Sequence, residues 1–283
     1  MKNPDATALV APLPPYAALL SAVAAAVLFL LLAHGAHGAV TGKSVTYWDG
    51  ATRLVGYLAW DDALPGKRPG VVVLPEWWGI TDYPKHRAEQ LAALGYVAFA
   101  ADIYGDGKTT DDPKKAGDLA APFRADRALL RSRAGTALDV LGKAPQVDPQ
   151  RLAAIGYCFG GTAALELARG GAPLLGVVSF HGGLDTPAGA DKGKIDARVL
   201  ALAGGADPFV PPKQLAGFEE EMRGRGADFK VVVYEGAVHA FTNPAADRYG
   251  IKGIGYDEKA DRASWEAMKA FLSELFGDGK AKG

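Results

Sequence analysis

The chain has 283 residues, 49% of them apolar and 22% charged, so it can bury a full core and is neither a disordered chain nor a multi-span membrane protein. Lys+Arg 31 against Asp+Glu 32 leaves a net charge of -1, which gives no electrostatic reason to expect nucleic-acid binding. One cysteine excludes an intramolecular disulfide and a cysteine-rich metal site, and five histidines leave little material for a histidine cluster, so neither metal nor cofactor is expected.

The front end comes first. Residues 17–33, AALLSAVAAAVLFLLLA, carry no charge but are short for a membrane span, which needs roughly 20 residues. Behind them, Ala36 and Gly38 have the small-residue spacing of a signal-peptidase site. Residues 1–38 therefore read as a signal peptide cleaved near Gly38 or as an N-terminal membrane anchor, with a start codon assigned too early as a third reading. Lys2 offset by Asp5, and Pro12, Pro14 and Pro15 ahead of the apolar run, keep those readings open. The expectation is a periplasmic or secreted monomer that meets membrane only through a retained leader. His34 and His37 sit at this junction and are set aside from the chemistry.

From Ser44 onward, SVTYW and RLVGYLAW read as an antiparallel pair with Asp49-Gly50 near the turn. GVVVLP, YVAFAA, LAAIGY, LLGVVSF, VLALAG and KVVVYEG are short apolar runs of the kind that form parallel strands buried on both faces. Helical periodicity lies between them, over residues 81–94, 123–141, 162–168, 213–225 and 259–276. This alternation predicts an α/β domain over 39–276 with a mostly parallel sheet of about eight strands and helices on both faces. There is no internal repeat and no linker. Residues 277–283, GDGKAKG, read as a flexible tail. The polar stretch 105–122, GDGKTTDDPKKAGDLAAP, follows a strand end and is predicted to be a loop or lid over the active edge.

The strongest chemical signal is Gly156-Tyr157-Cys158-Phe159-Gly160-Gly161, between the apolar run LAAI and the helical run TAALELA. That is the strand–turn–helix setting of a nucleophile elbow with cysteine at its centre. Glycine is needed on either side because side chains there would collide with the neighbouring strand and helix. The helix dipole favours a thiolate at such a turn. The plainer reading, a lone cysteine packed as a small hydrophobe, stands beside it. A nucleophile needs a base, and the base an orienting acid. After Cys158, His239 follows the run FKVVVYEGAV on a small-residue turn where it can swing over the sheet edge. His181, at the end of SFHGG, reads as structural, and His86 as a solvated or capping residue on a helix. Asp207 in GGADPFVP lies between nucleophile and base at another strand end, although a turn or N-cap aspartate looks the same.

GYCFGG, GGADPFVP and HAF, with the earlier VVVLPEWWG, resemble the dienelactone hydrolase family of α/β-hydrolases (carboxymethylenebutenolidase-like), over roughly Ser44 to Phe276. The resemblance implies Cys158 as nucleophile, His239 as base, Asp207 as orienting acid and Glu76 as the glutamate that contacts the resting cysteine. The thiol would stay neutral until substrate displaces that glutamate. Glu76 could equally be a surface loop carboxylate. The backbone N–H groups of Trp77 and Phe159 are placed as an oxyanion hole by analogy. Trp77, Trp78 and Tyr104 are candidate substrate-binding residues, with plain packing an equal alternative for Trp78. The family members that act on carboxylate-bearing lactones carry arginines after the D-x-Y run and after the histidine. Here Gly105-Asp106 and Thr242-Asn243 stand at those places, with Arg124 or Arg248 as candidate substitutes. The expected substrate is thus a neutral or bulkier small-molecule ester or lactone, cleaved through a thioester. The alternatives are a non-catalytic envelope binding protein on the same fold and, last, thiol redox chemistry without a resolving cysteine.

Overall fold

The computed structural model describes residues 40–187 and 193–277. The expected leader and all of the expected tail beyond Gly277 lie outside the described residues. In chain order the elements are β1 Val40–Asp49, β2 Thr52–Asp61, β3 Arg68–Leu74, α1 Asp82–Ala93, β4 Val97–Ala100, α2 Pro113–Ala125, α3 Arg127–Gly142 and β5 Val147–Tyr157. They continue with α4 Phe159–Arg169, β6 Gly176–Phe180, β7 Arg198–Gly204, α5 Pro212–Gly224, β8 Phe229–Tyr234, a 3-10 turn Ala246–Tyr249 and α6 Glu258–Phe276.

The eight strands form one sheet in the order β1-β2-β4-β3-β5-β6-β7-β8. β1 pairs antiparallel with β2, and β2 antiparallel with β4; every later pairing is parallel. This is the α/β-hydrolase arrangement, mixed but mostly parallel, with six α-helices among the described residues. Alternate residues of each central strand feed two separate apolar layers. Val72, Leu74, Phe99, Ala154 and Val199 pack under α2, α3, α4 and α5. Val71, Val73, Ala98, Ile155 and Leu200 pack under α1 and α6. A strand covered on both faces has no polar side to show, which is why these runs read as continuously apolar.

β4 lies on one side of β3 and β5 on the other, so the chain reverses direction across the sheet between β3 and β5. In open α/β sheets, ligands bind outside the carboxyl ends of the strands at such a switch point. The carboxyl ends of β3 and β5 carry Glu76 and Cys158, each just past its strand.

One expectation needs correcting. Residues 105–122 are not all loop, because α2 occupies Pro113–Ala125. Asp112 caps it by accepting from the Lys114 and Lys115 N–H groups at 2.8 and 3.3 Å, with Pro113 at the first helical position. The helix buries only Ala116, Ala120 and Phe123, too few apolar positions to show a periodicity. The helix expected over 123–141 starts later, at Arg127, because Asp126 is extended (φ -122°) and caps α3 through the Leu129 N–H.

The turn after β5 depends on two glycines. A Cβ on Gly156 would lie 1.9 Å from the Gly160 carbonyl oxygen, and one on Gly160 would lie 2.2 Å from the Leu74 carbonyl oxygen. Both obstacles are backbone and cannot step aside. Gly117 in α2 faces open space. Urea unfolding should therefore give opposite signs at two glycines. Gly160→Ala should lose about 3 kcal/mol or fail to fold, and Gly117→Ala should gain up to about 1 kcal/mol. A Gly160→Ala protein as stable as wild type would contradict the packing of the turn.

Candidate active site

Cys158 stands between β5 and the first turn of α4 with φ 53° and ψ -118°. A non-glycine residue there costs on the order of 1–3 kcal/mol, offset only where surroundings hold it. Its N–H is bonded to the Phe180 carbonyl at 3.0 Å and to His181 Nδ1 at 3.1 Å. Its carbonyl accepts from the N–H groups of Gly161 and Thr162. Cys158 is partly exposed and lines a cavity of about 520 Å3.

His239 reaches the same cavity from the loop after β8. Its Nδ1 lies 2.8 Å from Asp207 Oδ2. Asp207 is buried beyond β7, and its other oxygen accepts from the Phe209 N–H at 2.8 Å. One carboxylate therefore serves both the turn and the imidazole, an oxygen each. Burial disfavours the imidazolium, but the interaction with Cys158 and the bond to Asp207 outweigh it and raise the His239 pKa to about 10. The imidazole has Asp207 on one side and the sulfur on the other, the order a base between nucleophile and orienter requires.

The N–H groups of Trp77 and Phe159 take no acceptor among the described residues. Phe159 begins α4, so its N–H has no partner in the helix. Both residues line the cavity beside Cys158. Two free donors flanking a nucleophile can receive an oxyanion.

Glu76 is buried, and its Oε2 accepts from Asn243 Nδ2 at 2.7 Å. The resemblance implied a cysteine contact for this glutamate; the hydrogen bond seen here is to Asn243. A buried carboxylate needs a donor, and the loop carrying His239 supplies an amide four residues on. Burial pushes the Glu76 pKa up to about 7, against the opposing pull of Asn243 and the nearby positive charges of His239, Arg87 and Arg248. Glu76 is thus no surface loop carboxylate.

Two expected pocket residues stand behind the wall. Trp78 is buried and stacks on Tyr249 with ring centroids 4.0 Å apart, because the chain after β3 turns it away from the cavity. Tyr104 is buried against Phe123 and Phe159, and its hydroxyl donates to the Trp77 carbonyl at 2.9 Å. It holds the Trp77 segment and does not line the cavity. Asp102 anchors Tyr104 in turn by accepting from the N–H groups of Tyr104, Gly105, Gly107 and Val55. His86 is exposed on α1, as expected for a solvated residue.

The remaining wall includes Phe209, Ile251, Ile254, Arg124, Arg127 and Asp185. Of the two arginines weighed as substitutes, Arg124 lines the cavity and lies over the Trp77 ring at 5.6 Å, whereas Arg248 turns to the Tyr249 hydroxyl. Arg127, unforeseen in the sequence, bonds Asp185 at 3.4 Å. Both cavity arginines come from the α2–α3 junction, far in sequence from the other site groups. Asn243 was visible only as the residue standing where the family arginine is missing.

The dienelactone hydrolase family description matches residues 54–276. A dienelactone hydrolase-like promiscuous phosphotriesterase from metagenomic libraries superimposes with a TM-score of 0.82 at 45% identity, covering 84% of this chain and 100% of that one. A Bradyrhizobium protein described as a probable 2-oxo-3-(5-oxofuran-2-ylidene)propanoate lactonase is 32% identical over 71% of this chain and 84% of its own length. The protein usf of Aquifex pyrophilus is 29% identical over 82% of this chain and 98% of its own length.

The buried Glu76 carboxyl gives a pH test. Its pKa is raised on folding, so its favourable contribution is present below the unfolded value near 4.5 and is lost as pH rises through about 7. Glu76→Gln removes that loss. Thermal melts should show little difference from wild type at pH 4.5 and a higher Tm for the variant at pH 8. The same offset at both pH values would mean that Glu76 does not titrate in this window.

Proposed function

The chain belongs to the dienelactone hydrolase family and is a hydrolase of that family; from that premise we propose that it cleaves a small ester or lactone through a Cys158–His239–Asp207 triad and a thioester acyl-enzyme. The observation that carries the reading is the His239 imidazole, bonded to Asp207 at 2.8 Å and lining the same cavity as Cys158.

The steps follow from the placement. Cys158 Sγ attacks the carbonyl carbon after its proton has passed to His239 Nε2. The carbonyl electron pair moves onto oxygen, where the Phe159 and Trp77 N–H groups receive it. The tetrahedral centre collapses, the carbon–oxygen bond of the ester breaks, and His239 Nε2 gives its proton to the departing alkoxide. In a lactone that alkoxide stays attached to the acyl group. A water molecule then loses a proton to His239 and attacks the thioester. The second collapse frees the acid and returns the sulfur to its starting state. Asp207 fixes the ring with Nδ1 protonated and stabilises the imidazolium.

Phe209, Ile251, Ile254 and Trp77 give the cavity apolar walls for the acyl or alcohol portion. Neutral phosphotriesters are a second substrate class to include, on the strength of the 45% identical phosphotriesterase. There the same sulfur would attack phosphorus, the phosphorus–oxygen bond to the aryl oxide would break with His239 protonating that oxide, and the S-phosphoryl enzyme would then be hydrolysed by water.

Turnover of short p-nitrophenyl esters, small lactones and an aryl dialkyl phosphate should vanish in Cys158→Ala and fall by about 10³–10⁴ in Asp207→Asn. Equal turnover in wild type and Cys158→Ala ends the triad assignment, and no turnover across the whole panel returns the binding-protein reading. A second comparison concerns the wall. Arg124→Ala should raise KM about tenfold for an ester whose acyl chain ends in a carboxylate, the loss of one charge-assisted hydrogen bond, and leave the uncharged ester within about twofold. Identical changes for both esters would remove Arg124 from substrate recognition.

A further inference from the structure

We propose that His181 is a positioning residue for the reaction, fixing the nucleophile turn by accepting the Cys158 backbone N–H through Nδ1. The contact is 3.1 Å long. His181 follows β6 in a left-handed conformation (φ 41°), and the residue is buried. Its own N–H is bonded to the Leu202 carbonyl at 2.8 Å, which ties the residue to β7.

The tautomer follows from the partners. A backbone N–H can only donate, so Nδ1 accepts and carries no proton. The neutral ring is then protonated at Nε2, which lies 2.7 Å from Thr242 Oγ1 and donates to it. Burial, with His239 and Arg87 nearby, holds the His181 pKa well below 6.5, in agreement with a neutral ring.

The far end of the ring is also anchored. Tyr83 Oη meets the Thr242 hydroxyl at 2.7 Å and donates to its carbonyl at 3.0 Å. Arg87 Nη2 donates to the same carbonyl at 2.8 Å and pairs with Asp261 of α6 at 2.5 Å. The His239 and Phe241 rings meet the His181 ring edge-on, at centroid distances of 5.3 and 5.1 Å. A histidine held on all sides is a rigid stop against the N–H of the strained residue. The backbone that aims the sulfur and the Phe159 N–H cannot then relax without displacing it. Because His181 touches no reacting atom, its effect should fall on kcat and not on KM.

The proposal rests on Cys158 as the nucleophile, and its test can be read without substrate. The chain has one cysteine, so the full-length protein labelled with 15N-cysteine gives a single cysteine amide signal. His181→Gln keeps a donor toward Thr242 but places no acceptor at the Nδ1 position. His181→Asn places its Oδ1 there and tolerates the left-handed backbone. In His181→Gln the Cys158 amide proton should move upfield, and kcat should fall about tenfold or more with KM within about twofold. In His181→Asn the signal should stay near its wild-type position, and kcat should recover to within about threefold of wild type. An unmoved amide or an unchanged kcat in His181→Gln overturns the proposal, as does equal impairment of the two variants. Thr242→Val serves if neither variant folds. It frees the ring, so the amide should shift and kcat should drop, and wild-type values for both overturn the proposal. Activity surviving in Cys158→Ala would instead sink the hydrolase reading, whatever the amide signal does.

Discussion

The site is built around the left-handed backbone at Cys158. The conformation is costly for any residue with a side chain, and it persists because the surroundings leave no other place for the turn. Gly156 and Gly160 let β5, α4 and the end of β3 approach to within bond-like distances of where a Cβ would stand. The Phe180 carbonyl and His181 Nδ1 hold the Cys158 N–H, and the first amides of α4 hold its carbonyl. The result is a sulfur at the mouth of a sheet whose interior is close-packed on both faces. Strain at Cys158 is thus supported by apolar layers on either side of the strand that carries it.

The loop after β8 does three things within five residues. His239 meets Asp207, Thr242 receives His181, and Asn243 grips Glu76. Tyr83 and Arg87 of α1 bind the same loop at the Thr242 carbonyl. A shift of this loop would therefore disturb His239, the support of the Cys158 turn and the buried carboxyl together. Arg169 plays a similar part for the segment after β6, where it reaches the carbonyls of Leu184 and Asp185 while paired with Glu166 and Glu221. Its fully buried partner Glu166 also pairs with Arg131, so no charge in that cluster is left alone.

Much of this was legible in the sequence because it has a local cause. Strands buried on both faces must be apolar throughout, and that marks β3, β4, β6 and β7. A cysteine between spaced glycines, after a strand and before a helix, fits a nucleophile turn better than it fits plain packing. The meeting of Asp207 and His239 could be anticipated because each follows an apolar run and so stands at a carboxyl end of the sheet. What escaped depends on distant partners. α2 carries its start signal openly in Asp112-Pro113, yet it buries too little to show a periodicity. Trp77 and Trp78 are neighbours in sequence, and only the turn after β3 sends one to the cavity and the other under Tyr249. Nothing local in Asn243 announces a bond to a residue more than a hundred positions earlier, and nothing in Arg124 or Arg127 places the α2–α3 junction beside Cys158.

The most direct test is to mix the enzyme with a slowly hydrolysed ester, quench in acid within the first turnover, and weigh the protein and its peptides. The account predicts a mass gain equal to the acyl group, confined to the peptide that contains Cys158 and lost again as turnover completes. Product formed at full rate with no added mass on that peptide, or with the acyl group on another residue, would contradict it.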